Sequence, residues 1–330
     1  MKTIGVLGAG TWGMALSRVL SNNGHKVTVW SALPQEIDVL CATRKHPNLP
    51  GMEIPEEIAF TKDIQQVCQQ KDILLFAVPS PFVRSTARQA APYITQGQII
   101  VDVAKGIEAD TLYTMTQIIG EEMQAPGVKL VALSGPTHAE EVAKDLPTTI
   151  VASCEDIEVA KQVQAVFDNT CMRVYTNTDV KGVELCGAMK NVIALASGIA
   201  AGLGYGDNTK AALITRGVTE IARLGTAMGC SAETFYGLTG IGDLIVTATS
   251  MHSRNNRCGM LIGQGVAVEE AIKQVGMVVE GINAIPAAMR LKEHYGVELP
   301  IMESVHAVVA GKISPEEAVR ELMDRKTGPE

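Results

Sequence analysis

The segment Gly8-Ala9-Gly10-Thr11-Trp12-Gly13 constrains this chain more than any other stretch. It follows a short apolar run, Thr3–Leu7, and leads into Ala15–Asn23, whose periodicity predicts an amphipathic helix ended by Gly24. Glycines at this spacing between a strand and a helix answer three separate steric needs. The first permits a tight turn, the second lets the main chain approach a diphosphate, and the third lets the helix pack close to the strand. Unpaired N–H groups at the start of the following helix then face the anion. Gly8, Gly10 and Gly13 are therefore expected to cradle a dinucleotide.

The rest of the first half fits that expectation. Apolar runs at Thr3–Leu7, Lys26–Trp30, Asp72–Val78, Ile99–Val103, Leu130–Leu133 and Thr149–Ala152 alternate with helical stretches, and Arg173–Tyr175 adds a last extended segment. This is the pattern of βαβ units in a parallel sheet. From about Val180 onward strand-like runs almost vanish. Val183–Ala200, Thr209–Met228, Val268–Val275, Ile282–Glu293 and Ser314–Met323 read as helices. The fold class is thus α/β, a Rossmann-type parallel sheet with helices over residues 1–178, followed by an all-α domain over 179–330. A chain of 330 residues is long enough for two such cores.

Composition narrows the function classes. The net charge of −8 disfavours nucleic acid and anionic lipid as partners. The seven cysteines are odd in number and irregularly spaced, with no CxxC, and the six histidines form no HxxxH pair. Neither a disulfide framework nor a bound metal is expected, and the thiols suit a reducing cytoplasm. The apolar start of Met1–Gly10 is broken by glycines too early for a signal peptide. No apolar stretch is expected to reach membrane-spanning length, so no membrane insertion is expected.

Coenzyme choice stays open at this level. The second strand ends Val29-Trp30-Ser31-Ala32, without the acid that favours NAD. NADPH is therefore expected to be accepted at least comparably to NADH. Arg44, Lys45 and His46 follow, either as a 2′-phosphate site or as a solvated basic turn.

Reduction of a ketone needs a proton donor for the developing alkoxide. Lys190 interrupts the largely apolar helix Val183–Ala200, where desolvation lowers a lysine's pKa toward the working range. The competing structural reading is a lysine that snorkels to solvent. Lys105 lies just past a strand, on the edge where open α/β sheets bind ligands, and Ser134-Gly135-Pro136-Thr137 ends the next strand on that edge. Gly240-Ile241-Gly242-Asp243 offers a carboxylate on a flexible turn. Ser253-Arg254-Asn255-Asn256-Arg257 reads as a loop with the donors that phosphate recognition requires. His138 has no carboxylate partner assignable from sequence and is read as structural.

Taken together, GAGTWG, VAKGIE, LSGPTHAEE, CGAMKNVIA, ITRG, GLTGIGDLIVT, SRNNR and VVEG resemble the bacterial NAD(P)-dependent glycerol-3-phosphate dehydrogenases along nearly the whole chain. The resemblance implies reversible reduction of dihydroxyacetone phosphate to sn-glycerol 3-phosphate, feeding phospholipid synthesis, with NAD(P)H as cofactor. It implies Lys190 as the general acid and base. It implies Lys105, Gly135, Thr137, Asp243, Ser253, Arg254 and Asn255 as substrate contacts, and Thr11, Trp12, Ala139, Val278 and Glu280 as coenzyme contacts. Lys105 and Arg254 would touch both ligands, Asn191 would orient Lys190 or donate to the substrate oxygen, and the assembly would be a homodimer. Family members often carry Arg or His where this chain has Ala32. On the residues alone, a related β-hydroxyacid-type dehydrogenase and a non-catalytic NAD(P)-binding redox sensor stay open as alternatives.

Overall fold

Short apolar runs build the sheet of the first unit. The computed structural model, which describes residues 1–326, divides into two compact units: Met1–Lys105 with Tyr113–Glu184, and Gly106–Leu112 with Leu185 onward. In the first, strands β1 (Thr3–Leu7), β2 (Lys26–Trp30), β3 (Ala59–Thr61), β4 (Ile73–Phe76), β5 (Ile99–Asp102), β6 (Lys129–Ser134), β7 (Thr148–Ser153) and β8 (Met172–Asn177) form one sheet in the order β3-β2-β1-β4-β5-β6-β7-β8. Helices α1 (Thr11–Asn22), α2 (Pro34–Thr43), α3 (Ile64–Cys68), α4 (Val83–Ala90), α5 (Met115–Glu122), α6 (Ala139–Val142) and α7 (Ile157–Ala165) belong to the same unit. The central strand β4 is buried at all four positions, as a strand covered on both faces must be. Ile4, Val29, Val101 and Val131 join one core, and Leu74, Phe76 and Ile100 join another with α4 and α5.

The strand order reverses between β1 and β4, the switch point where α/β sheets bind ligands. The glycine-rich segment leaves β1 there. One neighbour relation differs from the expected all-parallel sheet: β6 and β7 run antiparallel. The connection between them, residues 135–147, carries only the one-turn helix α6. β3 was not expected either. It is three residues long and sits at the sheet edge, so it carries little apolar signal.

The second unit holds α8 (Val180–Gly202, which begins in the first unit), α9 (Asp207–Ala227), α10 (Ala232–Phe235), α11 (Asp243–Thr249), α12 (Arg254–Gly263), α13 (Val268–Val275), α14 (Glu280–Tyr295), α15 (Pro300–Val309) and α16 (Pro315–Met323). The expected division at 178/179 falls just before α8, whereas packing divides inside that helix, after Glu184. α8 also corrects the expectation that no apolar stretch is long enough to span a membrane. At 23 residues it passes by length and composition, but 89% of its most apolar window is buried inside the protein. It is the core helix of this unit. It crosses α12 at backbone distance: a methyl on Gly198 or Gly202 would lie 2.1 or 2.2 Å from the carbonyls of Asn256 and Met260. Gly259 and Gly263 meet the carbonyls of Leu195 and Ile199 in the same way.

Candidate active site

The glycine segment shows why each glycine is there. Gly8 has φ +121°, and a Cβ on it would lie 2.5 Å from the Ala77 carbonyl oxygen just past β4. A Cβ on Gly13 would lie 2.2 Å from the Gly8 carbonyl oxygen, so only glycine lets α1 start this close to β1. Gly10 is different. It is exposed, and nothing lies within 4 Å of where its Cβ would be. Gly10 is also the N-cap of α1, with no side-chain cap and no acid in the first turn. The first-turn N–H groups are thus left for an outside acceptor. An open space over Gly10, walled by residues that cannot carry side chains, fits a dinucleotide diphosphate. Thr11 and Trp12 open the helix, each half-buried.

Arg44 and His46 of the basic turn after β2 are engaged within the protein, while Lys45 is exposed. Arg44 donates to the carbonyls of Ile58 (2.8 Å), Glu56 (3.2 Å) and Pro55 (3.3 Å), pairs with the Glu56 carboxylate, and lies over the Phe60 ring. His46 is buried; its Nδ1 accepts the Asn48 N–H, so Nε2 carries the proton and donates to the Ala9 carbonyl at 3.2 Å. Burial pushes its pKa below the ordinary value despite that bond and the nearby Glu36. His46 is therefore a neutral support of the glycine segment.

Past β5, the Lys105 ammonium donates to the Gly135 carbonyl at 3.0 Å and lies 3.4 Å from the Thr137 hydroxyl, which itself donates to the Gly135 carbonyl. Gly135 has φ +151°, where a side chain is strained, and a Cβ on it would lie 3.1 Å from the Ile150 Cα. The structure thus brings Lys105, Gly135 and Thr137 together, with Ala139 opening α6 just beyond. Asp102 lies three residues before Lys105. Burial, and then the charge of Glu184, hold its carboxyl well above the usual range, and its Oδ1 accepts the Ala104 N–H. His138 is the N-cap residue of α6.

In the helical unit, Lys190 is buried and does not snorkel. Its ammonium donates to the Asp243 carboxylate and to the Thr247 hydroxyl at 2.7 Å, and Thr247 donates to the Asp243 carbonyl at 2.6 Å. Asp243 is only 1% exposed. The Asp243 carboxylate against the ammonium opposes the desolvation that burial imposes on it. The flexible turn expected at 240–243 is instead a π-helical turn, Leu238–Gly242, running straight into α11. Gly240 allows it: a Cβ there would lie 2.0 Å from the Phe235 carbonyl oxygen. Asp243 and Thr247 are one helical turn apart on α11, which puts both on the face toward Lys190.

The loop expected at 253–257 is also a helix start. Ser253 caps α12 by accepting the Asn256 N–H, and Arg254 is the first helical residue, half-buried. Asn255 is buried and donates to the Asn191 Oδ1 at 2.9 Å, while its own Oδ1 accepts the Gly281 N–H at 2.8 Å. Asn191 in turn donates to the Gly187 carbonyl. This amide relay joins α8, α12 and the first turn of α14. Glu280 begins α14, and Val278 lies in the connection before it.

Two family models cover most of the chain: the NAD-dependent glycerol-3-phosphate dehydrogenase N-terminus over residues 3–160 and its C-terminus over 179–320. The chain is 66% identical to a glycerol-3-phosphate dehydrogenase [NAD(P)+] of Lactobacillus delbrueckii subsp. bulgaricus, over 99% of this chain and 98% of that one. It belongs to the NAD-dependent glycerol-3-phosphate dehydrogenase family. A relative of the same name from Agathobacter rectalis is 54% identical over 99% of this chain and 97% of its own. The crystal structure of glycerol-3-phosphate dehydrogenase from Coxiella burnetii superposes with a TM-score of 0.93 at 35% identity, covering 98% of this chain and 99% of that one.

For a glycerol-3-phosphate dehydrogenase chain, the residue missed in sequence is Thr247. Its spacing of four from Asp243, inside GLTGIGDLIVT, was the available signal. The Asn191–Asn255 relay had no such signal, because its members are distant in sequence.

Proposed function

We propose that this chain catalyses reversible, NAD(P)H-dependent reduction of dihydroxyacetone phosphate to sn-glycerol 3-phosphate, feeding phospholipid synthesis. Residues 1–178 serve as the dinucleotide-binding domain and 179–330 as the substrate-binding domain. The observation that carries this reading is the buried Lys190–Asp243–Thr247 cluster. A charged ammonium held rigidly in a dry setting is suited to protonate a ketone oxygen. The coenzyme, when bound, supplies or accepts the hydride at the carbonyl carbon. Gly8, Gly10, Thr11, Trp12, Gly13, Ala139, Val278 and Glu280 are the residues that would hold it.

Lys190 gives its proton to the carbonyl oxygen in reduction and takes it back from the hydroxyl in oxidation. Asp243 keeps the ammonium charged before transfer, and Thr247 fixes its direction. Lys105 and Arg254 supply positive charge for the phosphate dianion, assisted by Gly135, Thr137 and Ser253. Asn191 and Asn255 support this set through their relay, which holds the Arg254 helix against the Lys190 helix. A homodimer in the cytoplasm completes the reading. The seven free thiols agree with a reducing compartment, and light scattering tests the assembly.

The test is coenzyme oxidation measured with dihydroxyacetone phosphate, unphosphorylated dihydroxyacetone and small keto acids. Turnover confined to the phosphorylated ketone supports the reading, and turnover on keto acids alone, or on nothing, overturns it. Arg254→Ala should lower kcat/KM for dihydroxyacetone phosphate by about 2–4 kcal/mol, since the dianion loses its bidentate partner. It should leave the poor rate on dihydroxyacetone unchanged. An equal loss on both ketones would assign Arg254 to the coenzyme or the fold.

A further inference from the structure

The sequence of β2 ends without an acid, yet the fold brings one there. Glu36 lies in the first turn of α2, and its carboxylate accepts a 2.6 Å hydrogen bond from the hydroxyl of Ser31, the residue directly after β2. Ser31 is fixed in turn, because its Oγ also accepts the Leu33 N–H at 3.1 Å. Ser31 itself is buried, while Glu36 is exposed, so the carboxylate is anchored at one oxygen and open to solvent. Glu36 is also close enough to His46 to act on its charge, and His46 holds the Ala9 carbonyl inside the glycine segment. The carboxylate therefore stands by the end of the second strand, on the side of the diphosphate cradle.

In a dinucleotide-binding sheet, an acid at the end of the second strand accepts a hydrogen bond from the ribose 2′-hydroxyl. The same charge repels a 2′-phosphate. We infer that Glu36, steered by Ser31, is a specificity-determining residue that favours NADH over NADPH. This rests on the coenzyme reading above and reverses the expectation drawn from the missing strand acid.

Nearby bases do not cancel it. Arg44 is taken up by the 55–58 carbonyls and Glu56, His46 is buried and neutral, and Lys62 pairs with Asp38 at 2.5 Å. Lys45 is exposed on the same turn, and a side chain that free of anchoring adds little fixed charge. Ala32, at the position where an arginine or histidine would grip the phosphate, adds none.

The test is direct binding of NADH, NADPH, NAD+ and NADP+ to the full chain by titration calorimetry, with no turnover required. Wild type should bind NADH more tightly than NADPH. Glu36→Gln should raise the ratio of NADPH to NADH affinity by about tenfold, mostly through tighter NADPH binding. Ser31→Ala, which frees the carboxylate, should give a smaller shift in the same direction. Ala32→Arg should shift the ratio as Glu36→Gln does, by adding charge instead of removing it. A ratio within twofold of wild type in Glu36→Gln overturns the inference, as does an equal change for both coenzymes. If wild type binds neither coenzyme, the failure lies with the proposed function and not with Glu36.

Discussion

The glycine segment of the first unit and the Lys190 cluster of the second both meet charge, by opposite means. The segment carries no charged side chain. It presents main-chain N–H groups and an empty space over Gly10, with no cap to satisfy them. The cluster is made of side chains, all buried, that already bond one another. An open main-chain site can be lost by adding a single methyl and costs the apo protein nothing. A closed side-chain cluster is part of the core, so breaking it disturbs stability and chemistry together. The helical unit repeats the closed arrangement at Glu220, which fills the start of α15 from inside.

The largest effect is expected at Lys190. Lys190→Met should lower kcat by about 10²–10⁴ while leaving the Kd for NADH unchanged, because the proton donor is lost and the cradle is not touched. It should also destabilise the protein by roughly 3–5 kcal/mol, since Asp243 is left as a buried, unpaired charge. The double variant Lys190→Met/Asp243→Asn should recover most of that stability and none of the rate. Recovery of both would make the pair structural and erase the distinction.

Glu220 sharpens the same distinction without chemistry. Burial pushes its carboxyl from 4.5 up to about 7, although the Ile301 and Met302 N–H groups and Arg223 pull it down. The folded state therefore binds a proton there more readily than the unfolded chain. The stability this gives is complete below about pH 4.5 and is lost as pH rises through about 7. The shift corresponds to roughly 3 kcal/mol at most. Glu220→Gln has no proton to lose. Denaturant melts from pH 5 to 8 should show its stability rising relative to wild type as pH increases. A constant difference across that range would mean that Glu220 ionises normally.

The same contrast explains what the sequence made legible. Gly8 and Gly13 answer steric demands of the protein and Gly10 leaves open the space assigned to the diphosphate, and the three together leave a spacing that can be read. Lys190 was legible as an anomaly, one cation in an apolar helix. Its partner Asp243 was recognisable mainly through family resemblance and Thr247 was missed, because both are more than 50 residues away. The turns at 240–243 and 253–257 were misread as loops because glycine, serine and asparagine signal breaks equally well at helix starts. Glu36 was missed because the acid reaches the end of β2 from the next helix. The antiparallel β7 was missed because burial on both faces gives the same apolar run in either direction.

The smallest and sharpest test separates two glycines three residues apart. A methyl on Gly13 would sit 2.2 Å from the Gly8 carbonyl and 3.1 Å from the Ala77 Cβ, and neither can withdraw without moving β1 or α1. Gly13→Ala should therefore cost about 1–3 kcal/mol of stability and weaken NADH binding with it, because the loop itself shifts. Gly10 has φ −68° and ψ 177°, which alanine adopts freely, and its Cβ would meet no protein atom. Gly10→Ala should leave the melting curve of the apo protein within about 0.5 kcal/mol of wild type. Its methyl would enter the space assigned to the diphosphate, so NADH binding should weaken by about 5- to 150-fold, the same 1–3 kcal/mol now paid only in the complex. A Gly10→Ala protein that binds NADH like wild type would mean the open space is not the cradle. A Gly10→Ala protein that loses stability before any coenzyme is added would mean the segment is closed by the protein after all, and the contrast with the Lys190 cluster would fail at its first term.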